Sequence, residues 1–228
     1  ITEPGNVDYF VRNGSVFSNQ SLRNFQRSRF DSVEQFKINF STKIRPAIQT
    51  DIWLMNEARN PAVYDYEFAN NGTNFHGFKN TELGIGFRLT KGESFTRMGR
   101  AKLRTKPATT ELLFQISKGL KNVLNGDLDY TKIAVRFSHS FQLKRFGKTS
   151  FRLEAGQVWG DVPYSYLFNA RATKSGKVSV YVPDHFQTVG LYEFAANSTV
   201  NLFVEHNFGN LLFKPENISF RPEIFVIQ

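Results

Sequence analysis

The 228 residues include no cysteine and only 40% hydrophobic residues, which excludes a disulfide scaffold and thiol chemistry. No apolar run approaches the roughly 18 residues that a membrane-spanning helix needs, so a helical membrane protein is excluded as well. The formal charge of +9 is dispersed singly along the chain rather than gathered in a dense basic run, so no nucleic-acid partner is expected.

These numbers leave a membrane β-barrel open, because strands with alternating apolar and polar residues average to a polar composition. Aromatic residues make up 15% of the chain, led by 24 Phe, and Phe favours sheets.

Residues 1–32 are rich in Asn, Ser, Arg and Gly, with Asn13-Gly14 as a turn signal, and read as an irregular entry segment. Regular alternation begins at Val33 and runs to Arg45. Phe36, Ile38 and Phe40 share one face of this predicted strand, and Lys37 stands on the other. Pro46 cannot donate to a ladder and ends the strand. Ile48, Ile52 and Leu54 then place a returning strand at 47–58.

Residues 59–79 combine the turn signal Asn70-Asn71-Gly72 with Tyr64, Tyr66, Phe68, Phe75 and Phe78, as expected of a long loop with an aromatic girdle. The next strand is the plainest in the chain. Leu83, Ile85, Phe87 and Leu89 form one face, and Glu82, Gly84, Gly86 and Arg88 the other. The two glycines read as gaps on the polar face into which a loop folds.

Phe95 to Lys106 is basic and ambiguous, and Pro107 closes it. Strands are predicted at 109–120, 131–144, 149–159, 199–208 and 218–227, for a total of eight or nine. The longest sets Ile133, Val135 and Phe137 against Lys132 and Arg136; Arg152 and Glu154 follow on the polar side of its neighbour. Short connections at 45–47 and 145–148 alternate with long ones at 59–79 and 160–195, an asymmetry of outer-membrane barrels.

The expected fold is therefore all-β: a transmembrane antiparallel up-and-down β-barrel over 33–228, with the apolar faces toward lipid and Lys37, Glu82, Arg88, Lys132, Arg136, Arg152 and Glu154 toward the lumen. Those charges are expected to be solvated and mutually paired.

No phosphate loop, dinucleotide fingerprint or Gly-x-Ser-x-Gly elbow is present, and the four His lack metal-ligand spacing. No cofactor, metal or catalytic residue is expected. Six Asn-x-Ser/Thr triplets read as chance in an Asn-rich chain. Two rival readings are a soluble barrel that binds a ligand inside its apolar interior and an outer-membrane hydrolase using His76 or His185.

The segment Phe151 to Phe168, in which a strand ending in Gly runs into Gly160-Asp161-Val162-Pro163, resembles the strand and loop entry of the BamA-like surface-antigen barrel superfamily. With Asn201 to Phe213 it is similar to the C-terminal barrel of uncharacterised outer-membrane proteins of Bacteroidetes-type bacteria that carry a carboxypeptidase-regulatory-like domain. The likeness extends loosely from Phe36 to Gln228.

The resemblance implies a bacterial outer-membrane location, with lipid and lipopolysaccharide around the barrel and other envelope proteins as partners. It implies a non-enzymatic role in envelope biogenesis, secretion, assembly or transport. It also implies an inward-folded loop marked by Asp161, Pro163 and Arg171, and a chain that is part of a larger barrel. The superfamily's Arg-Gly-aromatic loop motif is absent from Arg171 to Lys177, so an insertase mechanism is not carried over.

Overall fold

A computed structural model describes residues 31–61, 68–70, 73–99, 101–175, 178–179, 182–209 and 225–227. Alternation becomes strand wherever it is long. The main sheet consists of β1 (Asp31–Arg45), β2 (Ile48–Pro61), β3 (Phe78–Lys91), β4 (Thr110–Gly119), β5 (Tyr130–Gln142), β6 (Lys148–Trp159), β7 (Ser198–Asn207) and β8 (Phe225–Ile227). Spatial order follows chain order, and every pairing is antiparallel, so the sheet is an eight-stranded meander. It is open among the described residues, with β1 and β8 at its edges.

Register carries the apolar pattern across the sheet. Phe40 opposes Ile52, Ile52 opposes Ile85, Ile85 opposes Ile116, and Ile116 opposes Ile133. Directly opposed residues share a face, so these five form one continuous apolar row. The other face is polar: Met55 opposes Glu82, Ser117 opposes Lys132, and Arg136 opposes Glu154.

Which face is covered is the reverse of the usual arrangement in a water-soluble protein. Phe36 is 67% exposed and Val200 74%, whereas Glu82 and Arg136 are buried and Glu154 is 0% exposed. The cover over the polar face is the connection from β6 to β7, residues 160–197. Its Tyr166 and Phe168 join Phe78, Leu128, Tyr130, Ala134 and Val158 in a small apolar core between loop and sheet.

β1 begins at Asp31, two residues before the predicted start of the strand; the rest of the predicted entry segment, residues 1–30, lies outside the described residues. The loop predicted at 59–79 gives residues to both flanking strands and contains a small hairpin, Phe68–Asn70 with Thr73–Phe75. Residues 218–224 of the last predicted strand lie outside the described residues, so its observed part is 225–227.

The ambiguous stretch after β3 is a separate hairpin, Ser94–Met98 with Ala101–Lys106, off the main sheet. A meander puts this hairpin at the same end as the turns at 46–47 and 143–147, so that end is not uniformly short. The connections 62–77, 120–129 and 160–197 share the opposite end. The excursion at 160–195 is also more ordered than expected: Tyr164–Tyr166 forms a 3-10 turn, and Ala172–Ser175 pairs with Val178–Ser179 and Phe186–Gly190.

Candidate functional site: a buried charged seam under the inward loop

Inward-pointing residues of β1, β2, β3 and β5 form a connected polar network at the long-connection end. Arg59 on β2 bridges Asp31 at 2.9 Å and Glu57 at 3.3 Å. From the loop, Ser165 donates to Asp31 at 2.8 Å, and the Tyr166 hydroxyl donates to Glu57 through a short hydrogen bond. The Arg59 guanidinium also lies 5.5 Å from the Tyr166 ring centroid, within cation–π range. Burial and the neighbouring Glu57 carboxylate push the Tyr166 phenol well above its usual value, so it remains the proton donor.

Asn80 couples this group to a third carboxylate. Its amide donates to Tyr166 Oη at 2.8 Å and to Tyr130 Oη at 3.1 Å. Tyr130 in turn donates to Glu82, whose other oxygen accepts from Trp53 Nε1 at 2.9 Å. Three buried carboxylates are thereby held by neutral donors, Asp31 and Glu57 by one arginine as well, which offsets the cost of burying them.

A second cluster lies further along the seam. Glu154 on β6 sits between Arg136 of β5 and Arg171 of the loop, at 2.7 Å from each. Arg152 pairs with Asp184 of the loop at 2.6 Å, and Phe186 packs on Phe203 of β7 with ring centroids 4.9 Å apart. The loop is therefore fastened to the sheet by ion pairs at one point and by the hydroxyl–carboxylate bonds of Ser165 and Tyr166 at another.

The structure puts Phe36, Ile38, Phe40, Leu83 and Leu89 exposed on the apolar face, and Ile85, Phe87, Ile133, Val135 and Phe137 half-buried on it. On the polar face Glu82, Lys132, Arg136 and Glu154 are buried, while Arg88 and Arg152 are half-buried in ion pairs. Lys132 lies over the Phe168 ring at 5.2 Å. Lys37, further along the edge strand β1 than the loop-bonded Asp31, is exposed; its amine lies 5.5 Å from the Trp53 ring.

Of the three loop residues expected to point inward, Arg171 and Pro163 are buried, but Asp161 is exposed at the loop's start and belongs to the surface. The expectation about the glycines needs correction too. The space beside Gly84 and Gly86 is filled by the Trp53 indole, and the loop instead packs over Gly156, where a Cβ would lie 2.5 Å from the Phe168 ring.

Asp31, Glu57, Arg59, Asn80, Tyr130, Ser165 and Tyr166 were not singled out from sequence. Parity was the available signal: with Ile52 and Leu54 outward, Trp53, Glu57 and Arg59 must point inward. No such signal exists for Ser165 and Tyr166, which sit in a loop.

His76 is exposed, and His185 is buried with Nδ1–H donating to the Pro183 carbonyl at 2.8 Å. His139 Nδ1 contacts Thr110 Oγ1 at 2.9 Å, and His206 contacts Thr149 Oγ1 and the Phe146 carbonyl, both at 2.8 Å. Among the described residues no three His, Cys, Asp or Glu side chains form a metal site.

Residues 15–219 match the family model described as "Family of unknown function (DUF5686) C-terminal domain". No curated protein matches the chain. Among solved structures it is similar to the crystal structure of BamA from Haemophilus ducreyi lacking POTRA domains 1–3, with 11% identity and a TM-score of 0.55. That alignment covers 87% of this chain and 41% of the other, so the chain spans less than half the length of that relative. At this identity the likeness concerns the fold alone: an all-β antiparallel sheet of the BamA kind.

Proposed function

Because this chain belongs to the family of unknown function DUF5686, as its C-terminal domain, we propose that it is the membrane-embedded part of a bacterial outer-membrane β-barrel. One observation carries the proposal: the polarity of the two faces. A row of large apolar side chains is exposed over the sheet, with Ile38 at 57% and Phe40 at 65%, while carboxylates and guanidinium groups are buried beneath the loop. Left in water, such a row forgoes about 25 cal/mol for every Å² of apolar surface not buried. In a bilayer the same row is solvated by acyl chains, and the polar interior becomes the lumen. A soluble ligand-binding barrel has the opposite arrangement, with its apolar face inside.

Strands in lipid must have both edges paired, since unpaired N–H and C=O groups cost several kcal/mol each there. The proposed barrel thus closes through further strands beyond those of the described sheet. β2, β3, β5 and β6 are each longer than the roughly 9–11 residues that cross a bilayer at a tilt. The role proposed is non-enzymatic, in envelope biogenesis, secretion, assembly or transport. A carboxypeptidase-regulatory-like domain elsewhere in the same polypeptide, and lipopolysaccharide and envelope proteins as neighbours, belong to the same reading.

The test is refolding of urea-unfolded chain into buffer alone, into detergent micelles and into phosphatidylcholine vesicles. Sheet formation measured by circular dichroism, with protease protection, is expected in micelles and vesicles. A folded, monodisperse product in buffer without amphiphile would end the membrane reading.

A further inference from the structure

The end of the sheet that carries the turns at 46–47 and 143–147 differs in charge from the opposite end. Its connections, 46–47, 92–109, 143–147 and 208–224, contain three acids, Glu93, Glu216 and Glu223, against nine bases, Lys or Arg at 97, 100, 102, 104, 106, 144, 145, 214 and 221. Glu93 is already held by Arg88 at 3.1 Å. Arg97, Lys106 and Lys144 are exposed and have no ion-pair partner among the described residues. The connections 120–129 and 160–197 at the other end mix acids with bases, as in Lys121, Asp127, Asp129, Asp161, Asp184 and Glu193.

The hairpin at this cationic end is itself two-faced. Its register pairs Thr96 with Leu103, Met98 with Ala101, Phe95 with Arg104 and Arg97 with Lys102, so that Thr96, Met98 and Leu103 share one face and Phe95, Arg97 and Arg104 the other. Met98 is 69% exposed and Leu103 50% exposed, away from any core. The hairpin's base is anchored by Phe95, whose ring centroid lies 4.6 Å from the Lys43 amine on the polar face of β1. That contact turns the Phe95 face toward the sheet's polar side, so the Met98 face continues its apolar side. Ile44 and Phe146 are exposed at the same end.

We propose that the hairpin Ser94–Lys106, with the cationic rim beside it, seats on the anionic phospholipid head groups of the adjoining leaflet. This rests on the membrane reading above. Met98 and Leu103 dip into the boundary between head groups and acyl chains. The flexible stems of Arg97, Lys106 and Lys144 carry their charges out to the phosphates. Charge complementarity and continuity with the apolar exterior select this occupant over an acidic protein, which would leave Met98 and Leu103 unsatisfied.

The absence of cysteine makes the test direct, because a single Thr96→Cys substitution labels the hairpin's apolar face uniquely. Full-length chain carrying an environment-sensitive dye at that position is refolded into vesicles of phosphatidylcholine and into an equal mixture of phosphatidylcholine and phosphatidylglycerol. Insertion is scored separately by protease protection of the strands. The expected result is insertion in both, with the dye shielded and reached by lipid-borne quenchers only in the anionic mixture, and released by salt.

Arg97→Gln and Lys106→Gln should each weaken that shielding about fivefold, as expected for one charge near an anionic surface. Lys121→Gln at the opposite end should leave it unchanged. Inserted protein whose dye responds identically in the two lipids, or is shielded only when an acidic envelope protein is added, would overturn this inference and leave the barrel standing. Failure to insert in either lipid would remove both readings. The salt response of the unsubstituted hairpin decides the matter should a Gln variant fold poorly.

Discussion

The indole of Trp53 occupies the volume that a side chain at position 84 would need: a Cβ on Gly84 would lie 2.1 Å from the ring. β2 and β3 pair these two residues directly, and the indole N–H donates to Glu82 two residues along the same face. A large side chain, a missing one and a carboxylate form one unit, in which the glycine is what allows the tryptophan to lie flat across the polar face.

Gly84→Ala should therefore displace the indole and lower stability by about 1–3 kcal/mol, the usual cost of overpacking. Denaturant midpoints in detergent check the magnitude. Fluorescence in a Trp159→Phe background checks the cause, because Trp53 then emits alone and should shift toward a wetter environment.

Tyr166→Phe deletes the donor to Glu57 and one acceptor of Asn80 while keeping the ring in the core. A buried carboxylate that loses a donor costs about 1–3 kcal/mol. The loss should be local, so limited proteolysis within 160–197 should accelerate more than global unfolding. Equal changes in both rates would argue against the loop being a separately latched element.

Glu154→Ala leaves Arg136 and Arg171 facing each other without their shared carboxylate. Breaking a buried ion cluster by removing one partner costs about 3–5 kcal/mol. Adding Arg171→Met should recover part of it, and a double-mutant cycle over these two positions measures the coupling.

Val200→Arg places a charge on the most exposed apolar position of β7. In a bilayer, a cation on the outer face near the midplane costs about 2–4 kcal/mol. Folding yield into phosphatidylcholine vesicles should fall accordingly, and Lys118→Arg should serve as a neutral control at an exposed site. In water the Val200→Arg change would be close to neutral, so no effect would contradict lipid contact.

The Glu93 carboxyl supplies a pH dependence. Burial alone would raise it, but hydrogen bonds and charge from Arg88, with Arg104 behind, hold it below the usual carboxylate value. A depressed folded value stabilises the base of the hairpin at pH above the unfolded carboxylate range, and the contribution is lost as pH falls through the folded value. Anisotropy of a label on Thr96→Cys in detergent should thus be flat near neutrality and drop in acid. Glu93→Gln should abolish that step.

Strand by strand, alternation was sufficient to read most of the sheet. Phe36 to Phe40, Leu83 to Leu89 and Ile133 to Phe137 fall on one face in the sequence and on one face in space, because side chains of an extended chain alternate with a period of two. The same parity put Glu82, Arg136 and Glu154 together on the other. The basic stretch at 95–106 was harder, since Met98-Gly99-Arg100 interrupts any simple alternation; pairing across Gly99 makes it a hairpin.

Parity says nothing about what covers a face, and this is where three dimensions were needed. Ser165 meets Asp31 and Tyr166 meets Glu57 across more than a hundred residues of chain. No local pattern encodes that meeting. It depends on the strand meander bringing β1 and β2 under a loop that leaves from β6, and on Phe168 finding the hollow left by Gly156. The division follows from the range of the forces: the pleat is local and legible in any short window, whereas burial of a polar face depends on which distant segment supplies its hydrogen-bond partners.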